Sequence, residues 1–163
     1  MRLIFLDIDG VLNCQIFYDK RIGNSYIDRH ICRERVSWLN DLCKETGAKI
    51  VISSTWRLGR SQQEMQDILK EMGGTFEVVG CTPNLRHEAC VRGNEILQYI
   101  KEHEELGPYY DYHDYVIIDD DSDMLLQQAH NFFQTDTYSG LTPNICYKIT
   151  RFFNTLKEQS PSV

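Results

Sequence analysis

Residues 3–13 read Leu3-Ile4-Phe5-Leu6-Asp7-Ile8-Asp9-Gly10-Val11-Leu12-Asn13. Four apolar residues run straight into an acid, and a second acid follows two positions later. This is the pattern of a buried strand whose C-terminal end carries function. Strand side chains alternate between faces, so Asp7 and Asp9 are expected on the same side. Gly10 lets the chain turn sharply and approach a ligand closely. An uncompensated carboxylate at the end of a buried strand is costly, and a bound cation is the simplest remedy. The competing reading makes one acid a helix N-cap and the other a turn residue, both solvated.

Outward from this strand (placed over 2–7), apolar runs alternate with helix-like stretches. Residues 14–29 are irregular and mixed, with a turn signal at Gly23-Asn24-Ser25. Apolar residues recur at helical spacing over 31–46, and Gly47 closes that helix. A second strand over 48–54 ends in Ser53 and Ser54. Ser61 and Glu64 form a capping-box pattern that opens a helix over 61–72, stopped by Gly73-Gly74. The remaining pattern predicts a strand over 76–79, a helix over 92–104 and a strand over 115–118 that runs into Asp119-Asp120-Asp121. A short helix over 123–129, a strand over 131–135 and a helix over 143–157 complete the order. Residues 158–163 read as a frayed tail. Such alternation requires crossovers, hence a mainly parallel sheet with helices on both faces: a three-layer, Rossmann-like α/β fold.

The chain has 163 residues and no repeat or linker, which fits one domain, residues 1–163. A formal charge of −7 argues against broad attraction to phosphate backbones but leaves room for a local basic pocket. Six cysteines lie apart without a Cys-x-x-Cys pair or a Cys/His cluster, so a zinc site is not expected. Without a signal-peptide pattern they read as reduced thiols of a cytoplasmic protein. No segment reaches the length of a membrane span. No membrane association or obligate protein partner is inferred.

In parallel sheets ligands bind at the carboxyl ends of the strands. Here three strands end in polar residues: Asp7 and Asp9, Ser53 and Ser54, Asp119 and Asp120. Four carboxylates at one sheet edge would repel strongly without a hard dication, and oxygen-only ligands favour magnesium. A hydroxyl and a cation such as Arg92 could hold phosphate oxygens shared with the metal. One Asp could attack phosphorus while its neighbour manages the proton of the leaving group. No Walker-type phosphate loop, GxGxxG or Ser/His pairing competes with this chemistry. Arg57 stands where it could reach a substrate phosphate, with a solvated surface residue as the alternative. Arg86 and His87 precede Arg92 and could also touch substrate. Tyr109, Tyr110, Tyr112 and Tyr115 offer either a stacking surface for a base or ordinary packing. Trp38 reads as core, and Trp56 as core or site wall.

The stretch Asp7-Ile8-Asp9-Gly10-Val11-Leu12 resembles the first motif of the haloacid dehalogenase (HAD) superfamily of phosphohydrolases. Ser54 after an apolar strand, Arg92 near a helix start and the acids after Val116-Ile117-Ile118 follow in that superfamily's order. The finer pattern Ser54-Thr55-Trp56-Arg57, Arg92-Gly93-Asn94-Glu95-Ile96 and Gly140-Leu141-Thr142 is similar to small HAD domains of the Swiss Army Knife RNA-repair type. The resemblance implies Asp7 as a nucleophile forming an aspartyl-phosphate. It implies Asp9 as general acid/base with its backbone carbonyl on the metal, and Ser54 as a ligand of the phosphoryl group, with Ser53 the second candidate. Arg92 would replace the usual Lys, and a fork is not equivalent to a point charge. Asp120, with Asp119 beside it, would join Asp7 and Asp9 in holding Mg2+; Asp121 and Asp123 are further candidates in an ambiguous register. An acid at position 9 implies phosphatase or phosphotransferase chemistry over dehalogenation. Neither insert between the motifs has room for a large cap, although residues 14–30 could form a small flap. An open site suits bulky phosphorylated substrates, including nucleic-acid ends. The alternatives are a 5′-nucleotidase-like phosphatase on free nucleotides and a non-catalytic, receiver-like phospho-accepting module.

Overall fold

Leu3–Leu6 is buried on both faces, as the central strand of a parallel sheet must be, and the sheet is assembled around it. The computed structural model describes residues 1–14, 31–85, 90–103 and 114–155. In chain order the elements are β1 (Leu3–Leu6), α1 (Arg33–Thr46), β2 (Lys49–Ile52), α2 (Gln62–Glu71), β3 (Val78–Cys81), α3 (Arg92–Glu102), β4 (Tyr115–Asp119), β5 (Phe132–Gln134) and α4 (Pro143–Asn154). Short 3-10 turns occupy Thr55–Arg57 and Leu126–Gln128. The strand order is β3-β2-β1-β4-β5, and every pairing is parallel.

Two apolar clusters show how the helices are divided between the faces. Ile4 and Leu6 pack with Val36, Leu39 and Leu42 of α1, Met65 and Leu69 of α2, and Ile149 and Phe153 of α4. Leu3 and Phe5 point the other way, onto Ile96 and Tyr99 of α3. Alternation along a single strand thus separates the two helical layers, and the expected three-layer α/β arrangement is what the chain forms. No large cap domain is present among the described residues. No helix among them is long and apolar enough to cross a membrane.

Local chemistry explains most boundaries. Gly47 ends α1 in the left-handed conformation, with φ 70°. Ser61 and Glu64 complete the capping box of α2, and the Thr142 hydroxyl caps α4 ahead of Pro143. Two expectations are corrected. The strand predicted over 76–79 runs instead from Val78 to Cys81, because Gly80 lies within the strand beneath the Tyr99 ring. The helix predicted over 123–129 contracts to the single turn Leu126–Gln128. The possible flap (apart from Cys14), Arg86, His87, Tyr109, Tyr110, Tyr112 and the tail at 158–163 lie outside the described residues. Tyr115 is buried in the core, packed edge-on against Phe5.

Candidate active site

Register decides which side chains meet. Leu6 pairs with Ile52 of β2 on one side and with Ile118 of β4 on the other. The next residues in line, Asp7, Ser53 and Asp119, therefore stand at one level. The topology also reverses here: the chain moves outward from β1 to β2 and β3, then returns across the sheet to β4. That reversal opens a crevice at the carboxyl ends of β1 and β4.

Asp7, Asp119 and Asp120 each offer a carboxylate oxygen within 4.8 Å of the others. Asp7 and Asp119 are buried, and Asp120 is half-buried. Arg92, the first residue of α3, extends between two of them: its Nη2 lies 3.9 Å from Asp7 Oδ1 and its Nε 3.4 Å from Asp119 Oδ2. When all three carboxylates are ionised, the one guanidinium leaves two negative charges in the crevice. Burial pushes the Asp7 carboxyl up to about 6, while the Arg92 charge and the nearby Ser54 hydroxyl oppose the shift. Burial pushes Asp119 further, to about 7, and the Asp7 charge adds to it. Asp119 Oδ2 is buried and accepts no hydrogen bond. Oδ1 of the same residue accepts from the Asp121 N–H at 2.9 Å. A buried oxygen without a hydrogen bond, more carboxylates than the one guanidinium can balance and an all-oxygen donor set fit a magnesium ion.

The backbone is shaped around this group. Gly10 has φ 72°, and a Cβ there would overlap the Asp120 carboxylate. Thr135 of the β5 end donates through Oγ1 to the Gly10 carbonyl at 2.9 Å, and Thr137 Oγ1 donates to Asp120 Oδ2 at 2.8 Å. At α3, Asp123 Oδ2 accepts the Arg92 N–H at 2.8 Å, so this acid serves the helix N-terminus and stands outside the three-carboxylate group. Gly93 allows α3 to lie against Leu125 and Gln128, where any Cβ would collide with backbone.

Asp9 lies past the end of β1, near enough to Asp7 for its charge to help raise the Asp7 pKa. The strand ends at Leu6, and residues 9–13 form a turn. Alternation no longer applies there, and the Asp9 carboxylate reaches Asn13 and Trp56. Asn13 Nδ2 donates to Asp9 Oδ1 at 2.7 Å, and Trp56 Nε1 donates to Oδ2 at 3.1 Å. Ser54 is fully buried and accepts the Trp56 backbone N–H at 3.3 Å, while the buried Ser53 hydroxyl has no hydrogen-bond partner.

Arg57 is neither solvated nor open. At 6 % exposure it donates to the carbonyls of Ser54, Thr82 and Pro83 at 2.7, 2.8 and 3.0 Å, and to Glu95 Oε2 at 2.6 Å. Glu95 also accepts the Leu85 N–H, so this pair ties the turn after β2 to the loop after β3 and to the first turn of α3. Asn13, Glu95 and Thr137 were not singled out as site residues by sequence. Asn13 lies within the quoted opening stretch and Glu95 one turn beyond Arg92 on α3, but nothing local reveals which atoms they meet.

The sequence matches, over residues 3–145, the family described as HAD domain in Swiss Army Knife RNA repair proteins. No curated protein matches the chain. The matched span runs from β1 into α4 and includes every carboxylate of the crevice, and the protein belongs to this family of HAD domains.

Proposed function

We propose that the protein is a magnesium-dependent phosphomonoester hydrolase working through an aspartyl-phosphate. The observation that carries this reading is the meeting of Asp7, Asp119 and Asp120 with Arg92 at the carboxyl ends of β1 and β4. Membership of a HAD family supports phosphohydrolase chemistry. Asp7, Asp119 and Asp120 would hold the ion, with the Asp9 carbonyl as a further ligand. Bound there, magnesium supplies charge neutralisation for the carboxylates and the phosphoryl oxygens.

The protein's own groups then divide the work. An Asp7 carboxylate oxygen forms a bond to phosphorus as the bond from phosphorus to the ester oxygen breaks. Asp9, protonated, gives its proton to that departing oxygen and releases an alcohol. Arg92 and the Ser54 hydroxyl steady the phosphoryl oxygens, with Ser53 in reserve. Asp9, now ionised, takes a proton from water, the resulting hydroxide attacks phosphorus, and inorganic phosphate and free Asp7 are regenerated. Arg57 acts behind the site by holding the Ser54 turn.

The substrate we favour is a phosphate at a nucleic-acid end. The absence of a large cap among the described residues and the RNA-repair setting named for the family support a bulky, open-site substrate. Six free thiols accord with a reducing compartment such as the cytoplasm. A phosphatase screen with magnesium tests this, comparing phosphate-terminated oligonucleotides with mononucleotides, sugar phosphates and phosphopeptides. Oligonucleotide ends should turn over faster than free nucleotides, and Asp7→Asn should abolish turnover of both. Preference for mononucleotides would move the assignment to a nucleotidase. A stable phosphoaspartate without turnover would move it to a phospho-accepting module.

A further inference from the structure

The Asp9 carboxylate is held on both oxygens by neutral donors, one from its own turn and one from the turn after β2. We propose that Trp56 and Asn13 are positioning residues that aim Asp9 at the leaving-group oxygen; this rests on the acid/base role given to Asp9 above. Asn13 is buried and uses both ends of its amide. Its Nδ2 donates to Asp9 Oδ1 at 2.7 Å, and its Oδ1 accepts the Gly10 N–H at 3.1 Å. The half-buried Trp56 packs against the main apolar cluster and sends its indole N–H 3.1 Å to Asp9 Oδ2.

The chemistry of these partners matters more than their number. An indole N–H donates and cannot accept, and the Asn13 amide turns its NH2 group to Asp9 and its oxygen to the Gly10 N–H. Both partners therefore meet Asp9 as donors. A cationic partner would hold the carboxylate equally well, but it would bring a charge beside the proton being transferred. Two neutral donors fix the rotation of the carboxylate without doing so. Trp56 also links Asp9 to the phosphate-binding side of the site, since its backbone N–H donates to Ser54 Oγ at 3.3 Å. One short turn thus sets the acid and the hydroxyl relative to each other.

Leaving-group dependence separates this role from a structural one. An alkyl phosphate needs its departing oxygen protonated, whereas 4-nitrophenyl phosphate does so far less, and kcat/KM reports the step in which that bond breaks. Trp56→Phe keeps an aromatic ring and removes the donor. It should lower kcat/KM for an alkyl phosphate about tenfold, as misplacement of an acid/base group does. For 4-nitrophenyl phosphate the loss should stay within about twofold, and Asp9→Asn should shift the same ratio in the same direction. Equal losses on both esters, or no loss, would overturn the proposal while leaving the phosphatase reading intact. Failure of the unaltered protein to hydrolyse either ester would overturn both. A second measurement does not depend on turnover or on how Trp56→Phe folds: the indole N–H resonance of Trp56 should move upfield in Asp9→Ala. An unmoved resonance shows that the contact is not made and removes the basis of the assignment.

Discussion

At the scale of single residues, the crevice depends on a missing side chain. Gly10 combines φ 72° with a position where a Cβ would overlap Asp120, so Gly10→Ala meets two penalties. The left-handed conformation alone costs about 1–2 kcal/mol for a residue with a Cβ. The steric clash then forces Asp120 away from Asp7 and Asp119. Gly10→Ala should remain folded, with a lowered melting temperature and without the stabilisation that magnesium gives the unaltered protein. Thermal melts with and without the ion check this, and an undiminished magnesium effect would show that Asp120 is not a ligand. Arg92 makes a complementary case. Its Nε and Nη2 address two different carboxylates from separate nitrogens, whereas an ammonium must do so from a single point. Arg92→Lys should therefore keep a measurable fraction of activity, while Arg92→Ala loses about a hundredfold or more, as removal of one oxyanion-stabilising group does. The acids and Arg92 were legible in sequence because each ends a strand or starts a helix. The partners of Asp9 were not, because Trp56 lies on a different loop and its indole comes into reach only after β1 and β2 pair.

Between elements, the tie of greatest consequence is the buried pair of Arg57 and Glu95. It joins the turn after β2, the loop after β3 and the first turn of α3, the helix that presents Arg92. Burial lowers the pKa of Arg57, with the Glu95 charge opposing it, which is the mark of a guanidinium that depends on its partner. Glu95→Ala would leave that cation buried and unpaired, a change that costs about 3–5 kcal/mol. Urea unfolding should show a loss of that order for Glu95→Ala and a smaller one for Glu95→Gln, which still accepts a hydrogen bond. A loss below about 1 kcal/mol would mean that water replaces the carboxylate and that the pair is no strut. The sequence could not reveal this pair, because charged residues at these spacings usually face solvent. The misplaced β3 has a similar origin. A glycine reads as the end of a strand, yet Gly80 belongs inside one because the Tyr99 ring of α3 takes the space a side chain would need.

For the molecule as a whole, the alternation of apolar runs foretold a parallel sheet with helices on both faces, but not the order β3-β2-β1-β4-β5 that brings Asp119 beside Asp7. Order depends on which strands pair, and β1, β2 and β4 have similar apolar interiors. That pairing has a thermodynamic consequence that can be measured without any substrate. Asp7 and Asp119 titrate near 6 and 7 in the fold, against an ordinary value of 3.8. Below pH 4 both the folded and the unfolded chain hold these protons, and the two acids add no pH dependence. Between pH 4 and 7 the fold keeps protons that the unfolded chain has lost, so stability falls as pH rises, and above 7 the full penalty is present. Asp136 and Glu64 are shifted the opposite way, and their favourable contribution is largely in place by pH 5. At about 1.4 kcal/mol per unit, Asp119 alone makes this penalty on the order of 4 kcal/mol in the metal-free protein. A chelator-treated sample should melt at a lower temperature at pH 8 than at pH 5, and magnesium should restore most of the difference at pH 8 while doing little at pH 5. Asp119→Asn should flatten the metal-free profile, exceed the unaltered protein in stability at pH 8 and lose the response to magnesium. A metal-free melting temperature that climbs from pH 5 to pH 8 would mean that the carboxylates are not held together as the sheet places them.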